Sequence, residues 1–235
     1  MKATIIIYFL LIFVKFAHAS EGVALYKSNI DIKDIESIRR GFKHFTQNCL
    51  GCHGTEIQRY NRIEKDLDIE DIKEINPTIK KINKMTSNID VKAANQWFGV
   101  KPPDLTLTAK IRSHDWIYSY LKSFYIDKER PFGVNNLAYP KTAMPNVLEE
   151  YQGINKLVKR DGGLILVKKT QGKYSDEEYN QMIRDITNFL EYSAEPIQIK
   201  RRYIGIFVLI FLILFTTLAW LLKQEYWKDI DKNQS

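Results

Sequence analysis

The stretch of this chain best equipped for chemistry is Cys49-Leu50-Gly51-Cys52-His53. It reads C-x-x-C-H, the attachment pattern of a c-type haem. Two thiols at this spacing can add across the two vinyl groups of one macrocycle, each S–H giving a thioether. His53 then lies where a neutral imidazole nitrogen can bind the iron. Both cysteines of the chain belong to this motif, so no structural disulfide competes for them. A zinc site would want two more Cys or His ligands at short spacing, and His18, His44 and His114 are far apart in sequence. A thioredoxin-like dithiol would open a helix in a βαβ context, whereas this motif closes one.

Iron that only carries electrons needs a second axial ligand. Beyond the amino terminus the methionines are Met85, Met144 and Met182. Met182 falls on the apolar face of a helix, where core packing accounts for it. Met85 lies in the polar stretch Lys84 to Asn88, which predicts poor shielding. Met144 sits between Tyr139-Pro140 and Pro145-Asn146, a stiff loop suited to holding a thioether against a haem. Met144 is therefore the leading candidate; Met85 and His114 stay open, and His44 is disfavoured inside the first helix. A thioether opposite His raises the potential, and iron filled in this way has no site for substrate. Both points favour electron transfer over catalysis. Lys101-Pro102-Pro103-Asp104-Leu105 is rigid and lacks two backbone donors. A proline carbonyl there, with Pro103 the candidate, can accept a hydrogen bond from His53 Nδ1 and fix the ring. On spacing alone, Arg112 fits a haem propionate partner and a solvated surface charge equally well.

The elements that must position these residues are mostly helices. The first is predicted over Ile32 to Gln47, with Ile35, Ile38, Phe42 and Phe45 on one face. Gly41 beside that face costs about 1 kcal/mol relative to Ala if merely tolerated; the favoured reading is a close crossing with a second helix. That helix opens at the capping box Ser175-Asp176-Glu177-Glu178, buries Tyr179, Met182, Ile183, Ile186, Phe189 and Leu190, and ends at Ala194-Glu195-Pro196. Between them, Leu67 to Lys81 predicts a surface helix up to Pro77, and Ser113 to Tyr125 another helix. Asp161-Gly162-Gly163 reads as a turn, Leu164 to Lys169 as a strand, and Thr170-Gln171-Gly172 as a further turn. The expected fold is mainly α: a class I cytochrome c-like haem domain with insertions, plus one C-terminal transmembrane helix.

The ends of the chain suggest a compartment. Residues 1–19 carry Lys2, an apolar run and Ala17-His18-Ala19, the makings of a secretory signal peptide. Residues 20–199 then form a periplasmic haem domain. Residues 203–222 are uncharged and long enough for a hydrocarbon core about 30 Å thick, and residues 223–235 form a cytoplasmic tail. The net charge of +7 is concentrated at the ends, because Ser20 to Ile199 holds 27 basic and 25 acidic residues. Two propionates would cancel that difference, and no basic stripe argues for nucleic acid. The basic residues beside the anchor suit anionic headgroups.

Seven segments together resemble the cytochrome c1 family: Asn48-Cys-Leu-Gly-Cys-His-Gly54, Arg59-Tyr-Asn-Arg62, Trp97-Phe-Gly99, Pro102-Pro-Asp-Leu-Thr-Leu-Thr-Ala109, Asp115-Trp-Ile-Tyr-Ser-Tyr-Leu121, Met144-Pro-Asn-Val-Leu148 and Lys223-Gln-Glu-Tyr-Trp-Lys-Asp229. The likeness is to the short proteobacterial form and covers essentially the whole mature chain. The haem motif alone is common to many cytochromes; P-P-D-L, the single anchor and E-Y-W-K together are specific. The resemblance implies one covalent haem c on Cys49 and Cys52, iron ligation by His53 and Met144, and Arg112 on a propionate. It implies a respiratory electron-transfer subunit of the cytochrome bc1 complex, in the inner membrane, with no enzyme activity of its own. Its implied partners are cytochrome b, a Rieske iron–sulfur protein that supplies the electron, and a soluble or membrane-bound cytochrome c that receives it; the complex is implied to be dimeric. The alternatives are a stand-alone anchored cytochrome feeding a terminal oxidase, and an open-haem enzyme such as a peroxidase, which requires that Met144 not bind. The segment Ile63 to Asn95 has no firm counterpart in the family. Its acidic residues Glu64 to Glu74 read first as a solvated face and second as a docking surface for a basic cytochrome c.

Overall fold

Helix dominates the computed structural model, which describes residues 24–75, 83–160 and 163–232. The expected signal peptide, the Asp161-Gly162 turn and residues 76–81 of the segment read as a surface helix lie outside these residues. In chain order the elements are α1 (Ile35–Asn48), β1 (Thr55–Arg59), α2 (Tyr60–Asp66), a 3-10 turn (Ile72–Glu74), β2 (Lys84–Met85), α3 (Val91–Phe98), α4 (Thr108–Arg112) and α5 (His114–Lys122). There follow β3 (Phe124–Ile126), β4 (Val134–Asn136), α6 (Glu149–Gln152), β5 (Gly153–Arg160), β6 (Gly163–Gln171), α7 (Asp176–Ala194) and α8 (Gln198–Lys232). The strands pair antiparallel in three separate two-stranded sheets, β1–β2, β3–β4 and β5–β6.

α1 and α7 cross at Gly41. A Cβ there would lie 1.9 Å from the Asp185 carbonyl oxygen and 2.9 Å from Phe189 Cβ, so only glycine fits. The close crossing lets Phe42 and Phe45 pack on Phe189 with ring centroids 5.5 and 5.4 Å apart. Ile38, Phe42 and Phe45 are buried as their spacing predicts, but Ile35, in the first turn, is 38% exposed. α1 begins at Ile35 rather than Ile32 because the Asp34 side chain accepts the Ser37 amide at 2.9 Å and caps the helix. Asp185 is buried beside the crossing and its charge is fully partnered. Ser37 Oγ donates to it at 2.7 Å, and Arg40 donates through Nε at 2.8 Å and Nη2 at 3.0 Å. α7 starts at the predicted Ser175–Glu178 capping box. It also supports α5, where Tyr179 Oη donates to the Leu121 carbonyl at 2.8 Å.

The middle of the chain departs from its pattern. The helix preceding Leu67 is α2, and Leu67 and Ile72 are fully buried rather than part of a surface helix. The helix predicted to reach Tyr125 stops at Lys122, and Phe124–Ile126 pairs with β4. Thr170 and Gln171 do not turn; they extend β6, opposite Ile154 and Gly153 of a strand whose alternation is too weak to predict. Met85 is fully buried in β2, not poorly shielded, because pairing with Thr55 draws it under β1. Gln198–Lys228 is long and apolar enough to cross a membrane and contains the expected span Tyr203 to Leu222.

Candidate haem site

Cys49 caps the carboxyl end of α1, its amide donating to the Phe45 carbonyl at 2.9 Å. The chain then tightens: the amides of Cys52 and His53 both donate to the Cys49 carbonyl, at 3.0 and 2.8 Å. Helix and turn therefore fix both thiols and the imidazole to one short frame. Both cysteines are free thiols. Burial pushes the Cys49 thiol up to about 12, with the Cys52 thiol adding to the effect. Among the described residues no group of three or more His, Cys, Asp or Glu gathers as a metal cluster, so a zinc reading of the motif lacks further ligands.

His53 is buried, and its Nδ1 lies 2.8 Å from the Pro103 carbonyl oxygen. A carbonyl can only accept, so Nδ1 carries the proton and Nε2 is left with a free lone pair. Burial lowers the pKa of the ring against opposing pulls from the Pro103 carbonyl and Asp104, which favours the neutral imidazole that iron requires. The proline segment is laced to β1. Leu105 donates to the Gly54 carbonyl at 2.8 Å, and Asp104 accepts the Glu56 amide at 2.8 Å and the Thr106 amide at 3.0 Å. Asp104 is thus a positioning residue that its place in the sequence, remote from β1, does not reveal.

Arg112 is exposed in the last turn of α4, its guanidinium 5.3 Å from the centre of the Trp116 ring. It ion-pairs with none of the described residues, which leaves the fork available to a carboxylate. Met144 is half-buried in the long loop between β4 and α6, and its amide donates to Thr142 Oγ1 at 3.3 Å. The other candidate ligands are committed elsewhere. Met85 and Met182 are in the core. His114 Nδ1 faces Ser28 Oγ at 2.8 Å and Asp115 Oδ1 at 3.1 Å, beside the amino-terminal segment. His44 lies within α1, and burial lowers its pKa. The structure therefore joins Cys49, Cys52, His53 and Pro103 in one unit, with Arg112 and Met144 on separate elements. The donor set of two free thiols, an oriented imidazole and a half-buried thioether fits a covalently attached haem.

Comparison with known proteins agrees with this chemistry. The model of the Cytochrome C1 family matches residues 26–230. Cytochrome c1 of Allochromatium vinosum is 45% identical over 221 residues, covering 89% of this chain and 91% of that protein. A protein of Nitrosomonas europaea named ammonia monooxygenase gamma subunit is 42% identical, covering 91% of this chain and 92% of its own length. The mitochondrial cytochrome c1 haem protein of Saccharomyces cerevisiae is 28% identical, covering 91% of this chain and 73% of its own length.

Proposed function

The chain belongs to the cytochrome c1 family, and from that premise we propose that Cys49 and Cys52 bind the haem while His53 and Met144 ligate its iron. A cytochrome c1 carries one covalent haem c and transfers electrons as the haem subunit of the cytochrome bc1 complex. A single-pass anchor holds this one in the membrane. The haem supplies a one-electron iron centre; the protein supplies its ligands, their orientation and the exclusion of water. The observation that carries the assignment is the bond from His53 Nδ1 to the Pro103 carbonyl, which orients the ring and leaves Nε2 for iron. Arg112, with its free guanidinium fork, serves a propionate. With His53 and Met144 both holding it, the iron would have no exchangeable position, which argues against a peroxidase and against carrying over the oxygenase name of the Nitrosomonas relative. The stand-alone shuttle is not favoured by the family match.

In this reading the chain takes one electron from a Rieske iron–sulfur protein and passes it to a cytochrome c, within a dimeric complex that also contains cytochrome b. Residues 20–199 form the haem domain on the periplasmic side, residues 203–222 span the membrane, and residues 223–235 face the cytoplasm. The test is to extract the full-length protein from its own membrane in mild detergent. Co-purification of a di-haem cytochrome b and a Rieske protein, with quinol-driven reduction of cytochrome c, is expected. Emergence alone or with oxidase subunits would overturn the partner assignment.

A further inference from the structure

The loop bearing Met144 runs from Leu137 to Leu148 without regular structure. A free segment of this length would sample many conformations, yet a ligand must be held within a fraction of an ångström. Two side-chain links tie the loop to the same helix, one on each side of Met144. Upstream, Tyr120 Oη lies 2.7 Å from Thr142 Oγ1, which also accepts the Met144 amide at 3.3 Å. Downstream, Asn146 Nδ2 donates to Gln152 Oε1 at 3.1 Å, and Gln152 Nε2 donates to the Lys122 carbonyl at 2.7 Å. Tyr120 and Lys122 both belong to the last turn of α5. Thr142 and Gln152 are buried, so water cannot readily replace these bonds.

Resting on the assignment of Met144 as iron ligand, we propose that Tyr120 is a positioning residue that holds this thioether on the iron through Thr142, with Gln152 securing the far side of the loop. The Tyr120 ring is itself fixed. It stacks on Trp116 at 5.1 Å and 14°, and meets Phe124 edge-on at 5.2 Å. Its hydroxyl is therefore presented by a rigid arm. Burial pushes the phenol up to about 12, so it remains protonated and able to donate. The downstream link is the weaker one, because Asn146 Oδ1 is buried without a partner. The links place the loop's reference point on α5, the helix that also carries Trp116 beneath Arg112. Ligand and propionate partner are then registered to a single element.

The test uses the full-length holoprotein in detergent and reads the far-red ferric band given by sulfur ligation, the midpoint potential and the haem content. Tyr120→Phe keeps the ring and removes the hydroxyl; Thr142→Val keeps the shape and removes the acceptor. Both are expected to lose part of the band and to lower the potential in the haem-loaded fraction, while Thr142→Ser retains both properties. Native band and potential in Y120F and T142V would overturn the proposal. Met144→Leu separates it from the reading beneath it. Loss of the band in M144L with native Y120F and T142V defeats the positioning role alone; a retained band in M144L defeats the ligand assignment and the proposal with it.

Discussion

The residues of this chain are arranged so that charge states match their tasks. Burial favours the neutral form of His53, the one in which imidazole binds metal, and the Pro103 carbonyl aims the ring. Asp115 is the opposite case. Burial pushes its carboxyl up, but the Ser28 amide, the Lys27 ammonium at 2.9 Å and the Ser28 hydroxyl outweigh burial and hold it well below the usual carboxylate range. A folded-state pKa depressed in this way gives stability that is full above the ordinary aspartate value of about 4 and is lost as pH falls below it. Because these bonds tie the amino-terminal segment to α5, acid should release that segment before it disturbs the core. Asp115→Asn cannot titrate, so its thermal midpoint should be lower than native at neutral pH and should fall less steeply in acid. Midpoints followed from pH 6 down to about pH 2 check this; parallel curves for the two proteins would assign the acid sensitivity to other carboxylates.

The α1–α7 crossing is the element on which the haem motif depends, since Cys49 ends the helix that Gly41 lets approach. Overpacking a core typically costs about 1–3 kcal/mol. Here the added Cβ would meet backbone at 1.9 Å rather than a movable side chain, so Gly41→Ala should cost at least about 3 kcal/mol and reduce the yield of haem-stained protein. A normal yield of G41A holoprotein would show that the helices can part without disturbing attachment. This crossing is legible in the sequence because its signals are local: a 3.6-residue apolar period, a capping box and a glycine beside the stripe. C-x-x-C-H and the uncharged anchor are legible for the same reason. What escapes the sequence depends on partners distant along the chain. Gly153 to Arg160 becomes a strand because Gly163 to Gln171 pairs with it, its own alternation being poor. Met85 has polar neighbours in sequence yet is buried by Thr55 opposite it, and Gly54 admits the Met85 carbonyl, which a Cβ would meet at 3.0 Å. P-P-D-L marks a possible acceptor for His53, but its lacing through Asp104 to Glu56 joins residues that only the fold makes neighbours. The tie between Tyr120 and Thr142 is hidden for the same reason.

For the molecule as a whole, the question is how a nearly neutral haem domain is set on its anchor. Lys110 of α4 reaches Glu191 at 2.7 Å and Glu195 at 3.3 Å, and Glu195 is also bonded by Arg201 at the start of α8. One polar network thus joins the helix carrying Arg112, the end of α7 and the first turns of the anchor. Glu191 is buried, whereas Arg201 is exposed, and a pair with an exposed partner is worth little, about 0–1 kcal/mol, so the Glu195–Arg201 bond acts on orientation more than on stability. Flanking charge does not set the topology. Lys200, Arg201 and Arg202 precede the span, while Lys223, Lys228 and Lys232 follow it, so the positive-inside rule is nearly balanced. In the proposed reading the deciding constraint is chemical: C-x-x-C-H would receive its haem outside the cytoplasmic membrane, so Cys49 would be exported and the segment after Leu222 would stay inside. A reporter active only in the cytoplasm, fused behind that segment in the full-length protein, should be active; one that requires export should be silent. The reverse pattern would overturn the proposed topology, and would mean that the basic residues before the span, rather than the proposed signal peptide, determine how the chain inserts.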